Sequence, residues 1–271
     1  MINPNTKLTV FVNSLDVSQD AFDFSRDSFT MSLTTNDYLY VGYYKPIHCL
    51  YFLLEQANTV ANSLIFEYWD GVNWSPVSIS DDTKGLTRSG FVQWERLKDS
   101  SIQSINGNQK HWVRVKPSVS QSEVIVSGIN IVFADDNDLR QEVPEITDSN
   151  HLTGKTSHIL THVAVRQQLI QDLNNRGFSK SSNGARKDLT VWDILDVNQV
   201  RQAAIFLALA KIYFNFSDAT DDKYYQKYND YMIKYKDAWS LASLALDEND
   251  NGVSDPSEVN KSNFTEIRIR R

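Results

Sequence analysis

The sequence is poor in cysteine and contains no long apolar run. Cys49 is the one cysteine among 271 residues, so no disulfide framework can form and stability must come from packing, subunit contacts or metal. Because Cys49 lies within an apolar stretch, we expect a buried and unreactive thiol. No segment reaches the roughly 18–20 apolar residues that a membrane span needs. Met1–Lys7 lack the basic segment and apolar core of a signal peptide, so we expect a protein that stays in a reducing cytosol unless an assembly carries it out.

The sequence also lacks an excess of positive charge and any catalytic motif. Its net charge of −7 argues against broad electrostatic binding of nucleic acid, although DNA could pass along such a surface without sticking. We find no nucleophile elbow, phosphate-binding glycine loop, cysteine cluster or nucleophile–base set, and therefore expect no enzyme activity. With 41% hydrophobic and 23% charged residues, the chain is expected to be globular, and its length suits two domains.

The first half of the chain predicts short antiparallel strands that pack as a β-sandwich. In residues 111–116 the alternation places Trp112, Arg114 and Lys116 on one face and the valines on the other. Asp70-Gly71 between aromatic residues predicts a hairpin. The predicted strands are Lys7–Asn13, Asp37–Tyr43, Cys49–Leu54, Leu64–Trp69, Trp74–Ile79, Phe91–Glu95, Trp112–Lys116 and Val124–Phe133.

The pattern changes near residue 135. We expect a β-sandwich domain over residues 1–134, a polar linker over 135–156 and a small α-helical bundle over 157–246. The fold class is therefore α+β, with two domains and an extended C-terminal tail. Helices are predicted from Ser157 to about Arg176, around 190–195, from Val197 to about Phe216 and from Asp221 to Leu246, with a polar loop over 178–187.

Tyrosines recur in steps of four and three along the last predicted helix, which keeps them on one face. They either pack within the bundle core or form a contact between subunits, with their rings packed and their hydroxyls in water. These candidate oligomer-contact residues are Tyr224, Tyr228, Tyr231 and Tyr235.

Residues 247–258 match the EF-hand loop pattern at every specified position. Such a loop binds Ca²⁺ through side-chain oxygens, one backbone carbonyl and a closing bidentate glutamate. Alternatively, the segment is an acidic turn that ends one helix and caps a short one. A structural calcium ion and an ion-free turn both remain open. The candidate ligands are Asp247, Asn249, Asn251, Val253, Asp255 and Glu258.

Two further residue patterns each have a structural and a functional interpretation. His158 and His162 are four apart on a predicted helix, but no third ligand accompanies them, so we expect a solvated or packed pair. The β domain is rich in tryptophan, which favours a core role for these residues. Exposed tryptophans would instead suit a carbohydrate-binding sandwich, as in a baseplate or tail attachment protein. The tryptophans concerned are Trp69, Trp74, Trp94 and Trp112.

The C-terminal segment, residues 259–271, is net basic within an acidic chain, and its apolar residues alternate with polar ones. This pattern predicts an extended strand that docks onto a partner, the alternative being a frayed terminus. We expect that deleting Val259–Arg271 leaves a folded protein that no longer joins its partner. The candidate docking residues are Phe264, Ile267, Arg268, Ile269, Arg270 and Arg271.

The order of elements in the second half resembles head-to-tail adaptor (connector or neck) proteins of tailed bacteriophages. The resemblance rests on Ile159–Gly177, Gln199–Phe216, Asp221–Leu246 and Asn260–Arg271. Separately, the first half is similar to β domains of phage neck and tail-baseplate proteins. The segments that carry this second likeness are Tyr38–Gly42, Glu67–Gly71 with Trp74, Asp81–Thr83 and Trp112–Lys116.

The adaptor resemblance implies a structural virion protein of the neck, made in the cytoplasm of a bacterial host. It implies a homo-oligomeric ring, usually a dodecamer, which lines the DNA channel without sequence-specific binding. The implied partners are the portal protein, which receives the C-terminal segments, and a neck or tail completion protein. No membrane partner is implied. A full β domain is more than minimal adaptors carry, which leaves the role of that domain open.

Overall fold

The computed structural model describes residues 7–22, 24, 27–182, 184–219, 222–252, 255–259 and 261–262. These residues divide into two compact units. The β unit takes in the described residues up to Ile131 together with Asn251 and Gly252, and the helical unit takes in Val132–Asp250 with the remaining C-terminal residues. The first unit consists mainly of antiparallel strands and the second mainly of helices, so the chain is an α+β protein.

Two antiparallel sheets form the β unit. Among the described residues, the first sheet has seven strands in the order β2-β1-β4-β11-β6-β7, with β10 also paired to β11, and the second has the order β3-β12-β5-β9-β8. One short helix, α1 (Ser18–Phe22), accompanies them. The strands are β1 (Thr9–Val12), β2 (Leu15–Asp16), β3 (Phe29–Met31), β4 (Leu39–Tyr43), β5 (Cys49–Gln56), β6 (Leu64–Trp69), β7 (Trp74–Val77), β8 (Ile79–Asp81), β9 (Gly90–Trp94), β10 (Ile102–Ile105), β11 (Asn108–Pro117) and β12 (Val124–Asn130).

Strand alternation determines which side chains of the β unit are buried. In β11, Val113 and Val115 are buried, whereas Arg114 and Lys116 point to the opposite face and are half-buried, which confirms the predicted alternation. Between the sheets, the ring of Phe66 on β6 lies 5.3 Å from that of Trp94 on β9. The core of this unit is therefore made by the inward faces of both sheets.

Trp112 departs from the simple alternation. It shares the outer face of the first sheet with Arg114, yet it is fully buried, and its Nε1–H donates to the carbonyl of Gln103 at 2.9 Å. Its ring lies directly over Gly42, where a Cβ atom would come within 2.5 Å of the indole. Position 42 therefore requires glycine because any side chain would displace the tryptophan.

Each of the eight predicted strands overlaps a strand of the structure, and the predicted hairpin is present, with Trp69 paired to Trp74. Gly71 in the turn has a positive φ of +103°, a conformation that glycine adopts without steric cost. Sequence reasoning missed β2, β3, β8 and β10. These strands are only two to four residues long, too short for an alternating pattern to emerge.

The helical unit is centred on α5 (Asn198–Phe216), which is apolar on most of its circumference and buried accordingly, as expected. Helices α4 and α6 both pack against it. The other elements are α2 (Asp136–Glu142), α3 (Ser149–Leu152), α4 (Ile159–Asn175), α6 (Lys223–Leu241), 3-10 helices at Pro144–Thr147 and Val191–Asp193, and the strands β13 (Lys180–Ser182), β14 (Ala185–Lys187), β15 (Ser243–Leu244) and β16 (Lys261–Ser262).

The predicted linker over residues 135–156 is wrong. The segment contains α2, a 3-10 helix and α3, and Leu139 and Ile146 are fully buried. The acidic run that begins this segment starts a helix: Asp135 accepts the backbone N–H groups of Asn137 and Asp138, and the Asp138 carboxylate accepts the N–H of Asp135. This is a capping box built with aspartate.

Two other boundaries in the helical unit differ from prediction. Helix α6 ends at Leu241 rather than at Leu246, because the following backbone bonds elsewhere: Ala245 N–H donates to Gln199 Oε1 at 2.7 Å and Leu246 bridges to Ile194. The predicted polar loop over 178–187 contains the hairpin β13–β14. In both places tertiary hydrogen bonding outweighs local propensity.

Acid should destabilise the protein below about pH 6.5. Burial lowers the pKa of His48, with help from Arg96 and Lys45, and burial also lowers the pKa of His111 and His158. The unfolded chain therefore takes up protons first as the pH falls through 6.5, and the free energy of unfolding drops by up to about 1.4 kcal/mol per pH unit for each such histidine. Urea unfolding at pH 7.5 and 5.5 measures this. His48→Asn should flatten the dependence, and a wild-type profile that is flat between these pH values would contradict it.

Candidate binding surfaces

The outer face of the first sheet, opposite the buried valines, carries a cluster of aromatic and charged side chains that we call the aromatic face. Strand pairing brings it together: Arg114 on β11 is opposite Tyr40 on β4 and opposite Glu67 on β6. Each member of the cluster is half-buried. The aromatic face consists of Tyr38, Tyr40, Glu67, Trp69, Trp74 and Arg114.

The guanidinium of Arg114 is the centre of the aromatic face. It lies 4.2 Å from the ring centre of Tyr38 and 4.4 Å from that of Trp74, and its Nε is 2.6 Å from Glu67 Oε2. Cation–π contacts of this kind and a charge-assisted hydrogen bond fix the orientation of the planar group. The result is a rigid arrangement of flat rings around a compensated ion pair.

The rings of the aromatic face also contact one another. Trp74 meets Tyr40 edge to face with ring centres 6.0 Å apart, and it meets Trp69 in the same way at 5.7 Å. Tyr38 and Tyr40 are 5.8 Å apart. Because each ring is held by its neighbours, little side-chain entropy remains to be lost on binding.

The structure separates the four tryptophans of the β unit into two groups. Trp94 and Trp112 are buried, as the packing interpretation expected, Trp112 on the outer face of the first sheet. Trp69 and Trp74 are half-buried on the outer face, whereas the carbohydrate-binding alternative called for exposed tryptophans. Nearby, the Tyr68 hydroxyl donates to Asp99 at 2.8 Å, and this hydrogen bond raises the pKa of Tyr68 to about 12.

The helical unit contains an open groove among α4, α5 and α6 with a volume of about 470 Å³. Leu160 and Phe214, which line it, are large apolar side chains that are 52% and 53% exposed. Lys211 and Gln168 supply polar groups to the lining. Apolar groups this exposed on neighbouring helices are typical of a contact surface.

The structure places the predicted tyrosines of α6 in different environments. Tyr235 is buried and its hydroxyl donates to Asp172 at 3.0 Å, so it packs within this chain, the first of the two interpretations left open by the sequence. Tyr224 and Tyr231 are half-buried and stack on Tyr213 of α5. Tyr228 lines the groove and contacts Phe214, with ring centres 5.1 Å apart. A subunit contact through the last three tyrosines stays a prediction.

A buried ionic cluster lies beside the hairpin β13–β14. Lys180 Nζ is 3.1 Å from Asp193 Oδ1 and 2.9 Å from Asp250 Oδ1, and the Lys180 and Asp193 side chains are nearly inaccessible. Asp247 joins them: one carboxylate oxygen each of Asp193, Asp247 and Asp250 lie within 4.8 Å of one another. Burial lowers the pKa of Lys180, but the carboxylates of Asp193 and Asp250 raise it further, so that the ammonium stays charged.

Of the six predicted calcium ligands, Asp247 is the one that belongs to this buried ionic cluster. Both oxygens of Glu258 accept backbone N–H groups, from Glu248, Asn249 and Asp255, so this carboxylate anchors the turn. The Asn249 amide donates to Asp255 Oδ2. Asn251 is exposed and groups with the β unit, and Val253 lies outside the described residues. Occupation of the loop by calcium stays a prediction.

The predicted histidine pair is packed rather than solvated. Both side chains are buried, His158 Nε2 lies 2.8 Å from the carbonyl of Ile146, and His162 Nε2 lies 3.0 Å from Asp136 Oδ1. They fasten the N-terminal segment of the helical unit to α4. The six candidate docking residues of the C-terminal segment, Phe264 and Ile267 to Arg271, lie outside the described residues.

Sequence reasoning missed both Lys180, which lies in the predicted polar loop over 178–187, and Asp193, which lies in the short helix predicted around 190–195. A signal for Asp193 was present, since Thr190 and Asp193 have capping-box spacing, and Asp193 Oδ2 accepts from the Thr190 hydroxyl at 2.7 Å. Nothing in the local sequence marks Lys180. Among the described residues, no helix has the length and hydrophobicity needed to cross a bilayer.

No protein-family model and no curated protein matches this sequence. Solved structures that are similar include CpGH89CBM32-6 from Clostridium perfringens, at 12% identity and a TM-score of 0.29, covering 47% of this chain and 93% of that one. A chitosan-binding module of a chitosanase/glucanase from Paenibacillus sp. IK-5 has 14% identity and a TM-score of 0.29, covering 46% and 92%. A pectin-binding carbohydrate-binding module has 11% identity and a TM-score of 0.29, covering 47% and 91%. At these values the similarities do not identify what this chain binds.

Proposed function

We propose that this chain is a non-enzymatic structural protein of a virion, a ring-forming head-to-tail adaptor that joins the portal to the neck or tail. The virion role rests on the resemblance of the second half of the sequence to head-to-tail adaptors, and the structural observation that supports self-association is the open groove of the helical unit, with Leu160 and Phe214 exposed on two of its helices. A monomer gains nothing from exposing such side chains, whereas a second copy of the chain that covers them removes apolar area from water.

Two further features support this proposal. Helix α6 carries additional exposed apolar side chains, Ile233 and Leu241, which are 60% and 83% exposed. The net charge of −7 suits a channel through which DNA passes without binding, because like charges repel. Contacts of this kind between identical subunits close into rings when the rotation between neighbours permits.

The groove is tested by Phe214→Glu, which places a charge where a neighbouring copy would pack. We expect the wild type to form a defined oligomer, alone or with a portal protein as template, and the variant to stay monomeric, as measured by mass photometry. Ile102→Glu, at an equally exposed apolar position of the β unit, is the matched control and should leave the oligomer intact. A wild type that is monomeric under both conditions would contradict the ring.

A second candidate function is attachment to carbohydrate through the β unit, as in a baseplate or tail attachment protein. The observation that favours it is the aromatic face, where Trp69 and Trp74 are half-buried on the outside of the sheet. This function is compatible with the first, because the aromatic face and the groove belong to different units. An adaptor whose β unit binds a glycan would combine both.

A further inference from the structure

We infer that the aromatic face is a pyranose-binding site in which the Arg114–Glu67 pair fixes the sugar hydroxyls and the Trp74 and Tyr38 rings contact the C–H face of the sugar. The inference rests on the proposed carbohydrate-binding function of the β unit and adds the site and the ligand class. A pyranose presents an apolar C–H face and a hydroxyl edge together. A matching site therefore needs flat apolar rings beside planar polar groups.

The geometry of the aromatic face meets this requirement. The guanidinium of Arg114 lies 4.2 Å from the ring centre of Tyr38 and 4.4 Å from that of Trp74, and Glu67 Oε2 lies 2.6 Å from its Nε. Arginine offers several N–H donors in a fixed arrangement, and a carboxylate offers acceptors, so the pair can serve neighbouring hydroxyls.

Because its main ion pair is internally compensated, the aromatic face offers little net charge to bind a strongly ionic ligand. Glu67 compensates Arg114 within the cluster, and Lys116, with its Nζ 5.5 Å from the Tyr38 ring centre, is the further cation that contacts it. A neutral or weakly acidic glycan is the ligand class that fits.

Binding of the full chain to an array of neutral and uronate-containing pyranose oligosaccharides tests this inference. We expect the wild type to bind, Trp74→Ala to bind about tenfold or more weakly, and Trp74→Phe to retain most binding. Arg114→Lys should also lose binding because it keeps the charge but not the planar fork. Val72→Ala, in the exposed turn of the same hairpin, is the control that should behave as the wild type.

The possible failures are distinguishable. A wild type that binds no glycan would overturn both the carbohydrate-binding function and this site. Glycan binding that survives in Trp74→Ala and Arg114→Lys, with thermal unfolding of both variants showing a folded β unit, would overturn the site alone. If the wild type binds no oligosaccharide on the array and Trp74→Ala loses portal binding, the aromatic face binds a protein partner and the inference is overturned. Oligomer formation, measured separately, reports on the adaptor function.

Discussion

Replacing Lys180 with methionine is expected to lower the free energy of unfolding of the helical unit by about 3–5 kcal/mol. The ammonium is within 3.1 Å of Asp193 and within 2.9 Å of Asp250, and Asp247 lies beside them. Methionine fills similar space but leaves these buried carboxylates without this cation. Removing one partner of a buried ionic cluster costs far more than the intact cluster contributes, because the remaining charges stay desolvated.

Lys187→Met is the matched control for Lys180→Met. Lys187 is directly opposite Lys180 in the hairpin but is exposed, so its replacement should change stability by no more than about 0.5 kcal/mol. Because the pKa of Lys180 is raised above 10.5, its contribution is complete at neutral pH and is lost only as the pH rises through the raised value. Equal stabilities of the two variants at pH 7, in urea unfolding, would contradict the account of the cluster.

On the proposed adaptor function, truncation after Ser262 should weaken binding to a portal protein roughly 100-fold, about 2.8 kcal/mol, without loss of stability. This truncation removes the candidate docking residues and keeps the pairing of β15 with β16 and the anchoring carboxylate of Glu258. This truncation is a more specific test than deletion of Val259–Arg271, because the larger deletion also removes β16. The alternating apolar residues and the basic side chains would otherwise bind as an added strand.

Changing only the charge separates the contribution of the basic side chains of the C-terminal segment from that of its apolar side chains. Replacing Arg268, Arg270 and Arg271 with glutamine should weaken portal binding less than the truncation and reduce its salt dependence. Mass photometry or calorimetry of the two chains measures this. Portal binding that is unchanged after the truncation would remove the docking role from the segment.

Local sequence patterns predicted most strands of the β unit, but they did not predict which strands pair with one another. The alternation in β11 and the Trp69–Trp74 hairpin follow from residues close in sequence. The aromatic face also needs Tyr38 and Tyr40, which reach Arg114 through pairing of β4 with β11, strands some 70 residues apart in sequence. Register between distant strands depends on the whole sheet, so no local pattern contains it.

The helical unit shows where such patterns mislead. Asp135 and its acidic neighbours resemble a linker in composition, but their carboxylates cap α2. Lys180 stands in a polar stretch, and its role depends on Asp193 and Asp250, which meet it only in the folded chain. Short polar residues are common both in loops and at helix caps, so the sequence alone does not distinguish the two; the hydrogen-bond partners of their side chains do.

Electron microscopy of the full chain mixed with a phage portal protein tests the proposed adaptor function most directly. The account predicts closed rings of this chain stacked on the portal ring, with the helical units in contact and Phe214→Glu unable to form them. A chain that stays monomeric beside intact portal rings, while it binds glycans through its β unit, would contradict the adaptor function and leave the attachment function in its place.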